Sequence, residues 1–95
     1  MAGGRHTLVL SGELDIASSP ELQATMLRLC AYGAPEIVLD VTKLEFIDSA
    51  GLQAILAAQG VCRDRGAGFM LTPAKGAVKR VFELSGMLDV LPFQQ

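Results

Sequence analysis

Leu44-Glu45-Phe46-Ile47-Asp48-Ser49-Ala50-Gly51-Leu52 decides the fold, because an apolar strand pattern ends at Ile47 and a helical pattern takes over within the next few residues. Upstream, Glu36-Ile37-Val38-Leu39-Asp40-Val41 is nearly continuous apolar sequence, which suits a central strand covered on both faces in a parallel sheet, with a turn at Thr42-Lys43. Downstream, Leu52, Ile55, Leu56 and Cys62 recur at helical spacing as far as Arg63-Asp64-Arg65-Gly66, where basic residues and a glycine close the helix. The junction puts the Ser49 hydroxyl at a helix N-terminus. There the first backbone N–H groups lack intrahelical partners and the peptide dipoles favour negative charge, so a phosphate on Ser49 would be locally stabilised.

Outward from the junction the same alternation repeats. His6 to Leu10 reads as a strand closed by Ser11-Gly12, followed by an acidic loop from Glu13 to Ser18. Ser19-Pro20-Glu21 supplies a cap, a first-turn proline and an acid, and Leu22, Met26 and Leu29 share one face, so a helix is expected from Pro20 to Ala31, ended by Gly33. Phe69-Met70-Leu71 is a third strand ended by Pro73; Val78, Val81, Phe82 and Leu84 mark a third helix that stops near Gly86, and a last short strand is expected at Val90-Leu91. The order β-α-β-α-β-α with right-handed crossovers defines an α/β domain over residues 1–95: a mostly parallel or mixed sheet of about four strands, packed with three to four helices.

Ninety-five residues can bury a single core, and 51% hydrophobic content without tryptophan fits an α/β domain rather than disorder. A net charge of -2 and a pI near 5.2 provide no general attraction for nucleic acid or anionic lipid. No apolar run approaches a membrane span and no signal-like segment opens the chain, so a cytoplasmic protein is expected. Cys30 and Cys62 lack metal or redox spacing; packing is their default role, although a disulfide between two helix ends is geometrically conceivable.

Several chemistries compete for Ser49. It could simply cap the helix, but Asp48 could do the same, and Gly51 in the first turn weakens a helix unless close backbone approach by a partner offsets it. A hydrolase nucleophile needs a base, yet His6 stands alone near the chain start and the Gly-x-Ser-x-Gly elbow is absent, so no enzyme is expected. No glycine pattern forms a phosphate loop, and no cofactor or metal is implied. Met26, Phe46, Phe69, Met70, Phe82 and Met87 read as core, and Lys75, Lys79 and Arg80 as a solvated helix face. Asp15 reads either as a solvated turn carboxylate or as part of an acidic rim with Glu13 and Asp48 at the sheet edge where partners of open α/β folds bind.

Leu10-Ser11-Gly12-Glu13-Leu14-Asp15, followed by Leu39-Asp40-Val41 and Phe46-Ile47-Asp48-Ser49-Ala50-Gly51-Leu52, resembles the STAS domain of bacterial anti-sigma factor antagonists across almost the whole chain. The resemblance implies a partner-switching protein. Unphosphorylated, it would bind an anti-sigma factor serine kinase that supplies ATP and metal, so releasing a sigma factor; phosphorylation on Ser49 would dissociate the complex and a serine phosphatase would reset it. Carried over by position, Ser49 is the acceptor, Glu13, Asp15, Asp48 and Ala50 lie in the contact surface, and Gly51 and Gln53 present the helix start to the partner. The alternative is a STAS subunit that docks constitutively on the ATPase of a lipid-trafficking ABC transporter. Family members usually carry a strand before Thr7 to Leu10 and often a further C-terminal helix, so the first family strand is expected to be short or missing, and an open sheet edge would then permit a homodimer.

Overall fold

The computed structural model describes residues 4–94. Its elements run β1 (Arg5–Leu14), α1 (Ser19–Ala31), β2 (Glu36–Ile47), α2 (Ser49–Arg65), β3 (Gly68–Leu71) and α3 (Gly76–Ser85), with a 3₁₀ turn at Met87–Asp89. The sheet has order β1-β2-β3 and both pairings are parallel. Because strand order advances in one direction, right-handed crossovers carry α1 and α2 to the same face, where they pack against each other.

β2 is central, as its apolar run demands: Ile37, Val38, Leu39 and Val41 are all buried. The core joins Ile37, Leu39, Val41 and Leu71 of the sheet to Met26, Ile55, Cys62, Val78 and Phe82 of the helices. Gly66 and Gly86 end α2 and α3 in the left-handed conformation, at φ 73° and 79°, where a side chain would be strained. Lys75, Lys79 and Arg80 are exposed, as a solvated face requires.

Three boundaries differ from the sequence reading. β1 runs through Ser11-Gly12 to Leu14, and β2 through Thr42-Lys43 to Ile47. The expected turn at Thr42 is replaced by two register shifts, at each of which β2 carries the extra residue. The Asp40 carboxylate secures that passage: its Oδ1 accepts from the Thr42 hydroxyl at 2.6 Å and the Thr42 N–H at 2.9 Å, and these bonds hold the carboxyl below the usual carboxylate range. No strand forms at Val90-Leu91. The 3₁₀ turn precedes it, Leu91 is buried, and two residues later in the chain a single parallel bridge joins Phe93 to Leu71, with the Phe93 ring edge-on to Phe82 at 5.1 Å. Among the described residues the sheet therefore has three strands and one bridge rather than about four strands. The segment before β1, where the resemblance places a further strand, lies largely outside the described residues.

Cys30 and Cys62 are buried free thiols in the α1/α2 core, so packing is their role in this fold and no disulfide joins them. Burial, with the Cys30 thiol beside it, pushes the Cys62 thiol up to about 12. Both thiols are expected to resist a thiol-specific reagent in the native protein and to react fully once denaturant is added. Rapid native reaction of either would contradict this packing.

Candidate partner-binding site at the start of α2

Parallel pairing builds the site. Leu14 pairs with Ile47, so Asp15 and Asp48 leave the sheet side by side, and the Asp48 N–H extends the ladder by donating to the Leu14 carbonyl at 3.3 Å. One register position earlier, Glu13 lies opposite Phe46. The loop before α1 and the first turn of α2 are thus brought to the same end of the sheet, as the sequence predicted.

The N-cap of α2 is Asp48, in extended conformation, and its Oδ1 accepts from the Gly51 N–H at 2.9 Å. Ser49 is the first helical residue and is exposed, and among the described residues its hydroxyl has no hydrogen-bond partner. The first intrahelical bond is Leu52 N–H to the Asp48 carbonyl, so the N–H groups of Ser49 and Ala50 precede the helical ladder. No acidic side chain lies in the first turn. The capping role open to Ser49 in the sequence therefore falls to Asp48, and the serine is left at the positive end of the dipole without a structural duty. Asp48→Ala is expected to lower unfolding free energy by about 1 kcal/mol, and Ser49→Ala to change it by less than about 0.5 kcal/mol, in urea titrations.

Gly51 is buried, and its reason lies inside the chain. A Cβ at this position would fall within contact distance of the Leu14 carbonyl oxygen and 2.7 Å from Ile47 Cγ1. The close approach anticipated from a partner is made by the end of β1, so Gly51 seats α2 on the sheet and offers no side of itself to a ligand. Gln53 is exposed on the same turn and Ala50 is half-buried.

Asp15 organises its loop. Its Oδ1 accepts from the N–H groups of Ala17 and Ser18, both at 3.0 Å, and lies 3.1 Å from the Ser18 hydroxyl, which itself accepts from the Asp15 N–H at 2.9 Å. These bonds, the Ser18 N–H foremost, hold the Asp15 carboxyl below its ordinary value, so it is ionised through the neutral range. Glu13 faces an open hollow with Asp15, Glu21 and Glu45, whereas Asp48, the third carboxylate of the expected rim, does not line it and instead caps α2. Ser19, read from sequence as the α1 cap, instead donates to the Asp15 carbonyl at 2.6 Å and lies 3.3 Å from the Ala50 carbonyl, which pins the acidic loop to the start of α2. Ser18 takes the N-cap position without a capping bond.

The sequence missed two apolar residues. Ile16, at the tip of the acidic loop, is 78% exposed, and Phe46, read as core, is 49% exposed beside Glu13. Glu45, the extra residue of the second register shift, and Phe46 after it are both exposed, which breaks strict alternation there. His6 pairs at the opposite end of the sheet, eight positions before Leu14, or about 26 Å along the strand, so no histidine reaches Ser49. Among the described residues no cluster of His, Cys, Asp or Glu could hold a metal, and no helix is long and apolar enough to cross a membrane.

Comparison with known proteins places this arrangement. A family model described as Mlab, STAS domain, matches residues 1–92. The chain belongs to the STAS family. This STAS domain is 31% identical over 88 residues to an anti-sigma F factor antagonist of Paenibacillus polymyxa, covering 87% of this chain and 72% of the relative. It superposes on an anti-sigma factor antagonist from Mycobacterium paratuberculosis with a TM-score of 0.79 at 28% identity, covering 95% and 76% of the two chains. It shares its fold with SpoIIAA of Bacillus in the phosphorylated form, at a TM-score of 0.68 and 23% identity over 97% and 86% of the two chains.

Proposed function

We propose that this STAS domain is an anti-sigma factor antagonist, switched by phosphorylation on Ser49. The observation that carries the reading is the division of labour at the start of α2: Asp48 caps the helix, which leaves Ser49 exposed, unbonded and dispensable to the fold. A serine free of structural work at the positive end of a helix can accept a phosphate and lose it again without refolding. The antagonists among its relatives support the same role.

In the unphosphorylated state the partner, an anti-sigma factor serine kinase that brings its own ATP and metal, contacts Glu13, Asp15, Asp48, Ser49, Ala50 and Gln53, with Ile16 and Phe46 as apolar anchors within the rim. Gly51 acts beneath this surface by setting the height of α2. A phosphate of about -1.5 to -2 charge beside the carboxylates of the rim converts the surface to one the partner rejects. A serine phosphatase restores it. The protein performs no chemistry of its own in this cycle.

Affinity capture from the native cell with wild-type and Ser49→Asp baits tests the assignment. The wild type is expected to recover a sigma-regulating serine kinase that the variant does not. Recovery of a transporter ATPase by both baits would instead make the chain a constitutive docking subunit.

A further inference from the structure

The turn between β1 and α1 closes on the polar groups of Asp15. Its N–H donates to the Ser18 hydroxyl at 2.9 Å, and its carbonyl accepts from the Ser19 N–H at 2.8 Å and the Ser19 hydroxyl at 2.6 Å. Its Oδ1 accepts from the N–H groups of Ala17 and Ser18 at 3.0 Å, while the Ser18 hydroxyl lies 3.0 Å from the Glu13 carbonyl. Ile16, at the tip, takes no part in these bonds. Its side chain is 78% exposed, at a place where turns ordinarily carry glycine or a small polar residue. The Ser19 hydroxyl also lies 3.3 Å from the Ala50 carbonyl, which fixes the turn against the same end of α2 that carries Ser49.

We infer that Ile16 is the specificity-determining anchor of the partner-binding surface, held out by Asp15 as a positioning residue, and that the partner meets it with an apolar socket flanked by basic side chains. The inference rests on the reading of the start of α2 as the partner contact. Charge complementarity sets the flanks, because Glu13, Glu21 and Glu45 line the hollow next to the turn together with Asp15. An apolar centre within a charged rim is the ordinary build of a recognition surface. Burying Ile16 removes its apolar area from water, and a turn that is already closed loses little freedom on binding, so ordering offsets little of the gain. Asp15 thus acts through shape. Asparagine offers the same Oδ1 acceptor and suits the same turn without the charge, whereas alanine removes both, so the two contributions of Asp15 can be separated.

Calorimetric titration of full-chain variants against the protein recovered with the wild-type bait tests it, with circular dichroism to confirm each fold and amide hydrogen exchange in the free domain to report on the turn. Ile16→Ala and Asp15→Ala are each expected to weaken binding at least about tenfold, and Asp15→Asn to retain most of the affinity that Asp15→Ala loses. The N–H groups of Ala17 and Ser18 should exchange faster in Asp15→Ala than in the wild type, Asp15→Asn or Ile16→Ala. Unchanged exchange in Asp15→Ala overturns the inference without any partner. So does an Asp15→Asn variant that binds as weakly as Asp15→Ala, which would mean that the carboxylate acts by its charge, or an Ile16→Ala variant of wild-type affinity. Ser49→Asp in the same series keeps the two readings apart. If it loses affinity and Ile16→Ala does not, the anchor alone fails; if it binds as the wild type does, the contact surface is misassigned and the anchor falls with it.

Discussion

Gly51→Ala is expected to be the most damaging single-methyl change in this domain, destabilising it by about 3 kcal/mol or more. Helix propensity alone predicts the opposite sign, because alanine is favoured over glycine in a helix by about 1 kcal/mol. The packing term wins here because the added Cβ meets backbone. The Leu14 carbonyl sits against the Gly51 Cα while also accepting from the Asp48 N–H, and Ile47 closes the other side. Neither neighbour can rotate away, so α2 would have to lift from the sheet and break the ladder that sets Asp48 and Asp15 side by side. Of the total stability of a domain this size, about 5–15 kcal/mol, such a loss is large. Urea titration of Gly51→Ala and Gly60→Ala makes the contrast: Gly60 is also helical but meets nothing closer than the flexible end of Arg63 at 3.6 Å, so its replacement should be neutral or stabilising. Equal behaviour of the two variants would show that Gly51 is not the seat of α2.

Ser49→Asp is expected to separate stability from binding. At the first position of α2 a carboxylate interacts favourably with the helix dipole, by about 0.3–1 kcal/mol, offset in part by the nearby Asp48. Thermal stability should therefore be unchanged or slightly raised. Partner affinity should fall by about 2 kcal/mol, or about 30-fold, because the charge adds to the acidic rim at the centre of the proposed contact surface. Ser49→Ala, which loses neither cap nor charge, should bind as wild type does. The combination matters: a variant that loses affinity and stability together would mean only that the helix start had been disturbed.

The sequence conveyed the alternation of strands and helices because each element carries its own signal: the unbroken apolar run of β2, the helical repeat and terminal glycine of α2, the Pro20 start of α1. Its errors lie where long-range pairing overrides local pattern. Thr42-Lys43 looks like a turn, yet β1 holds the chain extended through two register shifts, with the Thr42 hydroxyl and N–H satisfied by Asp40. Phe46 looks like core because strand alternation predicts it, and those same shifts turn it outward. At the site, residue identities were legible and their assignments less so. Asp48 and Ser49 are both good capping residues by chemistry, and only the extended backbone of Asp48, with its bond to the Gly51 N–H, decides between them. Gly51 was recognisable as a close-approach glycine, but the approaching group is Leu14, thirty-seven positions away in sequence and beyond any local pattern.

The central claim is that a phosphate on Ser49 turns a binding surface into a non-binding one, and it is tested most directly by titrating the kinase recovered by capture against this STAS domain before and after stoichiometric phosphorylation, with the modified residue confirmed by peptide mass spectrometry. The account predicts a single phosphate, on Ser49, and an affinity lower by about 30-fold or more in the modified protein. Equal affinity of the two forms, or a phosphate carried elsewhere, would contradict it.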